Sequence, residues 1–140
     1  MEEILEKTAG FTGADIKTLM NEAAFLAIRA HRDIILKEDI DEAIRRIIIG
    51  SQSTRENFAK NKYNTAVHEA GHVITAILQG EDIMEVSIIP RGDAAGYTLN
   101  NFDTKKVITV DEIVKRIKIV LGGRAAEKIV FGKVSAGASF

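Results

Sequence analysis

The stretch Val67-His68-Glu69-Ala70-Gly71-His72-Val73-Ile74 decides how the rest of the chain is read. Around it Val67, Ala70, Ile74, Ile77 and Leu78 recur at three- and four-residue spacing, with Val73 widening the stripe. That period predicts an amphipathic helix over about residues 61–79, ended by Gly80. Downstream the period changes. Val86 and Ile88 alternate in a strand read over residues 85–89, Pro90 closes it, and Tyr97-Thr98-Leu99 makes a second short strand after Gly92 and Gly96. Thr109 and Glu112 form a capping box ahead of Ile113, Ile117, Val120 and Leu121. Gly122-Gly123 is expected to interrupt that helix before another restarts over residues 124–130.

Upstream, residues 51–60 are polar and charged, and read as a linker or as the exposed opening turns of the next helix. Before them, Ile16, Leu19, Met20, Ala23, Ala27 and Ala30 share one helical face, expected to be buried, with Thr12 as N-cap, Asp15 three places on, and an end near His31. A second stripe, Ile40, Ala43, Ile44, Ile47 and Ile48, starts after Glu38 and Asp39 and stops at Gly50. The expected fold is therefore mainly α with a small β-sheet, in two segments, residues 1–50 and 51–140. Some fifty residues make a thin core, so the first segment is expected to lean on something outside itself.

Two histidines four apart on a helix project from one face, so both imidazoles can reach one metal ion. Neutral imidazole nitrogens bind Zn²⁺ at about 2.0–2.1 Å without backbone distortion. Glu69 is rotated by about 100° from His68, beside the metal rather than at it. There it can take a proton from a water that attacks a carbonyl polarised by the ion, which is the chemistry of peptide-bond hydrolysis. Gly71 costs about 1 kcal/mol against Ala in a helix interior, which implies a close approach at that point. A catalytic zinc ordinarily takes three protein ligands, and the pair supplies two. His31 reads better as a residue at a helix C-terminus. Asp82, Asp93, Asp103 and Asp111 could each offer a carboxylate, but their positions suit turns and caps.

Composition narrows the setting. The 140 residues include 19 Lys and Arg against 20 Asp and Glu, so there is no basic excess to meet a phosphate backbone, and nucleic acid is not an expected partner. With no cysteine, neither a disulfide nor a thiolate metal site can form. No apolar run approaches the roughly 20 residues of a membrane-spanning helix, and Met1-Glu2-Glu3 begins with acid where a secretory signal begins with base.

These residues resemble the FtsH family of membrane-bound ATP-dependent zinc metalloproteases over nearly the whole chain. Gly10-Phe11-Thr12-Gly13-Ala14-Asp15 with Asn21-Glu22-Ala23-Ala24 looks like the helical lid of the family's AAA+ ATPase domain, and Asp39 to Ile44 with Gly50 resembles the lid's last helix. His68 to His72 matches the zinc motif, Ser87-Ile88-Ile89-Pro90-Arg91-Gly92 and Gly96-Tyr97-Thr98 the strands, and Leu121-Gly122-Gly123-Arg124-Ala125-Ala126-Glu127 the helices that follow. The resemblance implies an AAA+ lid over residues 1–50 and an incomplete zincin-like helical peptidase domain over residues 51–140. It implies His68 and His72 as zinc ligands, Glu69 as general base, and Gly13 and Ala14 near the adenine of bound nucleotide. Val86, Ser87, Ile88 and Ile89 would form a sheet edge to which an extended substrate adds as a strand. The parent protein would use Zn²⁺ with ATP and Mg²⁺, act on unfolded or membrane proteins as a homo-hexamer, and be membrane-anchored with its catalytic domains in the cytoplasm.

The sequence also departs from that family. The aspartate expected to complete the zinc site after Gly137-Ala138-Ser139 would fall beyond Phe140, and no Gly-x-x-x-x-Gly-Lys-Ser/Thr phosphate-binding loop is present. Lys128 stands where an acid is common. The chain by itself is accordingly expected to be weakly active or inactive. Two rivals carry different expectations: a lid and assembly module whose His pair is not catalytic, and a metallohydrolase of small amides.

Overall fold

A computed structural model describes residues 2–53, 58–100 and 108–135. It is mainly helical with a two-stranded antiparallel sheet, the class expected from the sequence pattern. The chain divides into two compact units, Met1–Gln52 and Ser53–Phe140.

The first unit holds α1 (Glu2–Lys7), α2 (Gly13–Arg29) and α3 (Lys37–Ile48). Helix α1 had no counterpart in the periodicity, being too short to show a stripe. Leu19 and Ala23 of α2 meet Ala43 and Ile44 of α3 in a small core, with Phe11, Leu26, Ile40 and Ile47 packed around it. The Thr12 cap forms as expected: the Asp15 amide donates to the Thr12 hydroxyl at 3.3 Å, and the Thr12 amide donates to the Asp15 carboxylate at 2.7 Å. The hydrogen bonds from Thr12, first from its hydroxyl and then from its amide, hold the Asp15 carboxyl below its usual range. Beyond α2 the chain turns through His31, whose φ of 56° is left-handed. Arg32 then grips Asp39 with both guanidinium nitrogens at 2.7 and 2.6 Å, while the Leu36 amide donates to the same carboxylate at 2.8 Å. Arg32 and then Leu36 bring the Asp39 carboxyl down to about 2.

The second unit holds α4 (Phe58–Leu78), β1 (Ile83–Ser87), β2 (Tyr97–Asn100) and α5 (Val110–Phe131). Helix α4 begins ahead of the expected residue 61, so the end of the polar stretch supplies opening turns; residues 54–57 lie outside the described residues. Strand β1 is displaced from the expected 85–89. Ile88 and Ile89 fall beyond it because the Ser87 hydroxyl accepts the Ile89 amide at 3.1 Å and turns the chain ahead of Pro90. Val86 pairs with Thr98 and Ser87 with Tyr97, while the register shifts between Ile83 and Glu85. Both strands pack on α4.

The expected break at Gly122-Gly123 does not occur: α5 continues unbroken to Phe131. Both glycines are buried. A Cβ on Gly71 would collide with the Gly122 carbonyl oxygen, and one on Gly122 would lie 2.5 Å from the Gly71 carbonyl oxygen. Gly71 and Gly122 therefore serve backbone-to-backbone packing of α4 on α5, and their weak helix propensity, about 1 kcal/mol each, is offset by that contact. At the start of α5 the Thr109 hydroxyl accepts the Glu112 amide at 3.2 Å, but the Glu112 carboxylate turns to Lys115 at 3.3 Å, so only the first half of the expected box is seen.

Candidate metal centre

Helix α4 presents His68 and His72 one turn apart, and their Nε2 atoms converge to 3.0 Å. The other nitrogen of each ring is held from α5. Nδ1 of His72 lies 2.8 Å from the Ile119 carbonyl oxygen, and Nδ1 of His68 lies 2.8 Å from Glu127 Oε1. A carbonyl oxygen or a carboxylate only accepts, so each Nδ1 carries a hydrogen and the two Nε2 atoms are left facing each other. Two nitrogens sharing one tetrahedral zinc at roughly 2.0–2.1 Å stand a little over 3 Å apart, so the donor set fits zinc.

Glu127, 5% exposed, is itself fixed by the Ser135 amide at 2.6 Å and hydroxyl at 3.0 Å. Burial pushes its carboxyl up, but Ser135 and His68 outweigh burial and leave it below the ordinary range. It is thus an ionised acceptor behind the His68 ring, the arrangement that fixes a metal-binding histidine's tautomer. Glu69 is 6% exposed, and Thr98 Oγ1 donates to its Oε2 at 2.8 Å. The backbone of α5 closes over the pair at Gly123, where a Cβ would lie 2.5 Å from His68 Nε2 and 2.6 Å from His72 Nε2. A cavity of about 940 Å³ opens onto His68, Glu69 and His72, with Asp93, Thr98 and Glu127 in its walls.

The other sequence candidates separate from this centre. Asp93 borders the cavity; Asp82 and Asp111 do not, and Asp103 lies outside the described residues. His31, Gly13 and Ala14 belong to the first unit, where the two small residues open α2 and are exposed. Val86 and Ser87 lie in β1, with Ile88 and Ile89 beyond it, and none of the four lines the cavity; its sheet side comes from β2 and the turn before it. Among the described residues, no group of three or more His, Cys, Asp or Glu assembles as a metal-holding cluster. Sequence reasoning missed Glu127, the Ile119 carbonyl and Thr98. Ile119, Gly123 and Glu127 share the four-residue spacing of His68 and His72, and that spacing was the available signal.

Two imidazoles steadied from a neighbouring helix, with a carboxylate alongside and an open cleft in front, are what a zincin-like metallopeptidase is built around. The chain belongs to peptidase family M41, whose model matches residues 55–140, while residues 1–42 match the AAA+ lid domain. It is 44% identical to the ATP-dependent zinc metalloprotease FtsH of Thermotoga maritima, over 99% of this chain and 24% of that protein. It is 41% identical to FtsH 2 of Symbiobacterium thermophilum, over 96% and 24%, and 43% identical to FtsH of Caldicellulosiruptor bescii, over 99% and 23%. The chain thus spans about a quarter of the length of the curated relatives it matches.

Proposed function

We propose that the chain carries part of the catalytic centre of an ATP-dependent zinc endopeptidase, with residues 1–50 as its ATPase lid and residues 51–140 within its peptidase domain. The observation that carries this reading is the convergence of the two Nε2 atoms to 3.0 Å, each ring locked through Nδ1. His68 and His72 would hold Zn²⁺, with a further ligand from outside the described residues. When bound, zinc polarises the scissile carbonyl and acidifies the attacking water. Glu69 accepts that water's proton as the C–O bond forms and returns it to the departing amine nitrogen as the C–N bond breaks.

Unfolded or membrane proteins are the substrates this reading favours, since an extended chain can add to the small sheet as a further strand. Val86, Ser87, Ile88 and Ile89 are the proposed contacts. In support, the sheet is two-stranded among the described residues, and Val86 and Ile89 are 48% and 42% exposed. Gly13 and Ala14 are proposed to lie near the adenine of ATP, with the phosphate-binding loop and Mg²⁺ supplied elsewhere in a longer homo-hexameric, membrane-anchored protein. Among the described residues, no helix is long and apolar enough to cross a membrane.

Zinc titration of the chain, with His68→Ala alongside, tests the centre. One zinc per chain, lost in the variant, supports it; equal binding by both chains refutes it. In a proteolytically active form of the protein, Glu69→Gln is expected to abolish cleavage with ATP turnover kept, whereas unchanged cleavage would favour a lid and assembly module with an idle His pair.

A further inference from the structure

The Glu69 carboxylate is almost wholly buried, and a carboxylate in that setting needs donors to stay in one place. The donor described for it is the Thr98 hydroxyl at 2.8 Å, from the middle of β2. Strand β2 can come this close only because of the residue before it: a Cβ on Gly96 would lie 2.6 Å from Thr65 Cγ2 and 2.9 Å from Glu69 Oε1. Thr98 is held in turn by its pairing with Val86 across the sheet. The sheet is thus tied to α4 at the very carboxylate that flanks the imidazole pair.

We infer that Thr98 is a positioning residue for Glu69. Its hydroxyl fixes one carboxylate oxygen, Oε2, while the close approach of Gly96 bounds the other, Oε1. The donor touches neither imidazole, so its removal disturbs the carboxylate and not the ligands. A charge-assisted hydrogen bond from a rigid strand constrains a side chain that would otherwise sample several rotamers. The inference rests on the metal-centre reading, and the experiment separates the two.

Cobalt(II) added alone to the purified chain serves as the probe, since its visible absorption follows the groups around the ion. Thr98→Val, which keeps the side chain's shape, is expected to move the cobalt spectrum in the direction that Glu69→Gln moves it, and Thr98→Ser to restore the wild-type spectrum. Cobalt affinity in Thr98→Val should stay well short of the roughly 10–100-fold loss that follows removal of a ligand's own hydrogen-bond partner. Thr98→Ala replaces the valine variant should its helical circular dichroism fall. A wild-type spectrum in the variant without a hydroxyl, or failure of serine to restore it, overturns the assignment. Binding and spectrum unchanged in His68→Ala would instead overturn the metal centre itself.

Discussion

Glu127 and Gly123 bear on the imidazoles from α5. Glu127→Ala removes the acceptor behind His68 Nδ1 and frees the ring to take the other tautomer, so zinc affinity should fall by roughly 10–100-fold, measured by titration against a competing chelator. Gly123→Ala would set a methyl within 2.5–2.6 Å of both Nε2 atoms, and the rings must swing away; metal binding should be lost while helical content stays. At this scale the sequence is legible where partners are near neighbours. His68, Glu69 and His72 could be read because a helix fixes their relation within one turn. Glu127 could not, since its partner lies 59 residues away and only the packing of α4 on α5 brings them together.

Helices and strands show the same division. Helices α2, α3 and α4 followed from periodicity, but the faces they bury followed only in part: Ile16, Met20 and Ala30 of α2 and Ala70, Ile74, Ile77 and Leu78 of α4 are exposed. The continuity of α5 did not follow, because a Gly-Gly pair reads as a break until the opposing Gly71 is known. Gly71→Ala or Gly122→Ala should destabilise the second unit by about 1–3 kcal/mol, more than the roughly 1 kcal/mol gained in helix propensity, as seen in urea unfolding. Strand β1 ends early for an equally local reason, the Ser87 hydroxyl, which alternation cannot reveal. In the first unit Asp39 ties the α2–α3 connection to the start of α3. Its carboxyl lies at about 2 in the folded state, below the ordinary 3.8. Its stabilising effect is therefore present above about pH 4 and lost as pH falls toward 2. Wild type should exceed Asp39→Asn in stability at neutral pH, the gap closing across that window in unfolding followed by circular dichroism.

Across the whole molecule, the division into two units gives the second its own reporter. The chain has two tyrosines and no tryptophan, and both Tyr63 and Tyr97 lie in the second unit. Zinc at about a hundredfold excess over its dissociation constant should stabilise that unit by about 2.7 kcal/mol. The tyrosine-detected unfolding midpoint is expected to rise accordingly, and a midpoint indifferent to zinc would contradict the proposed centre. The class of fold was legible because composition and period constrain it everywhere. The hydrogen-bond partners that steady the centre were not, because they come from α5 and β2 and depend on which faces meet. That dependence has a consequence of its own. Both imidazoles take their orientation from α5, through one backbone carbonyl and one carboxylate two helical turns apart. A slip of α5 by a single residue would rotate both acceptors out of reach together, so metal occupancy is a gauge of helix register: the ion can be held only after the two helices have found their one correct alignment.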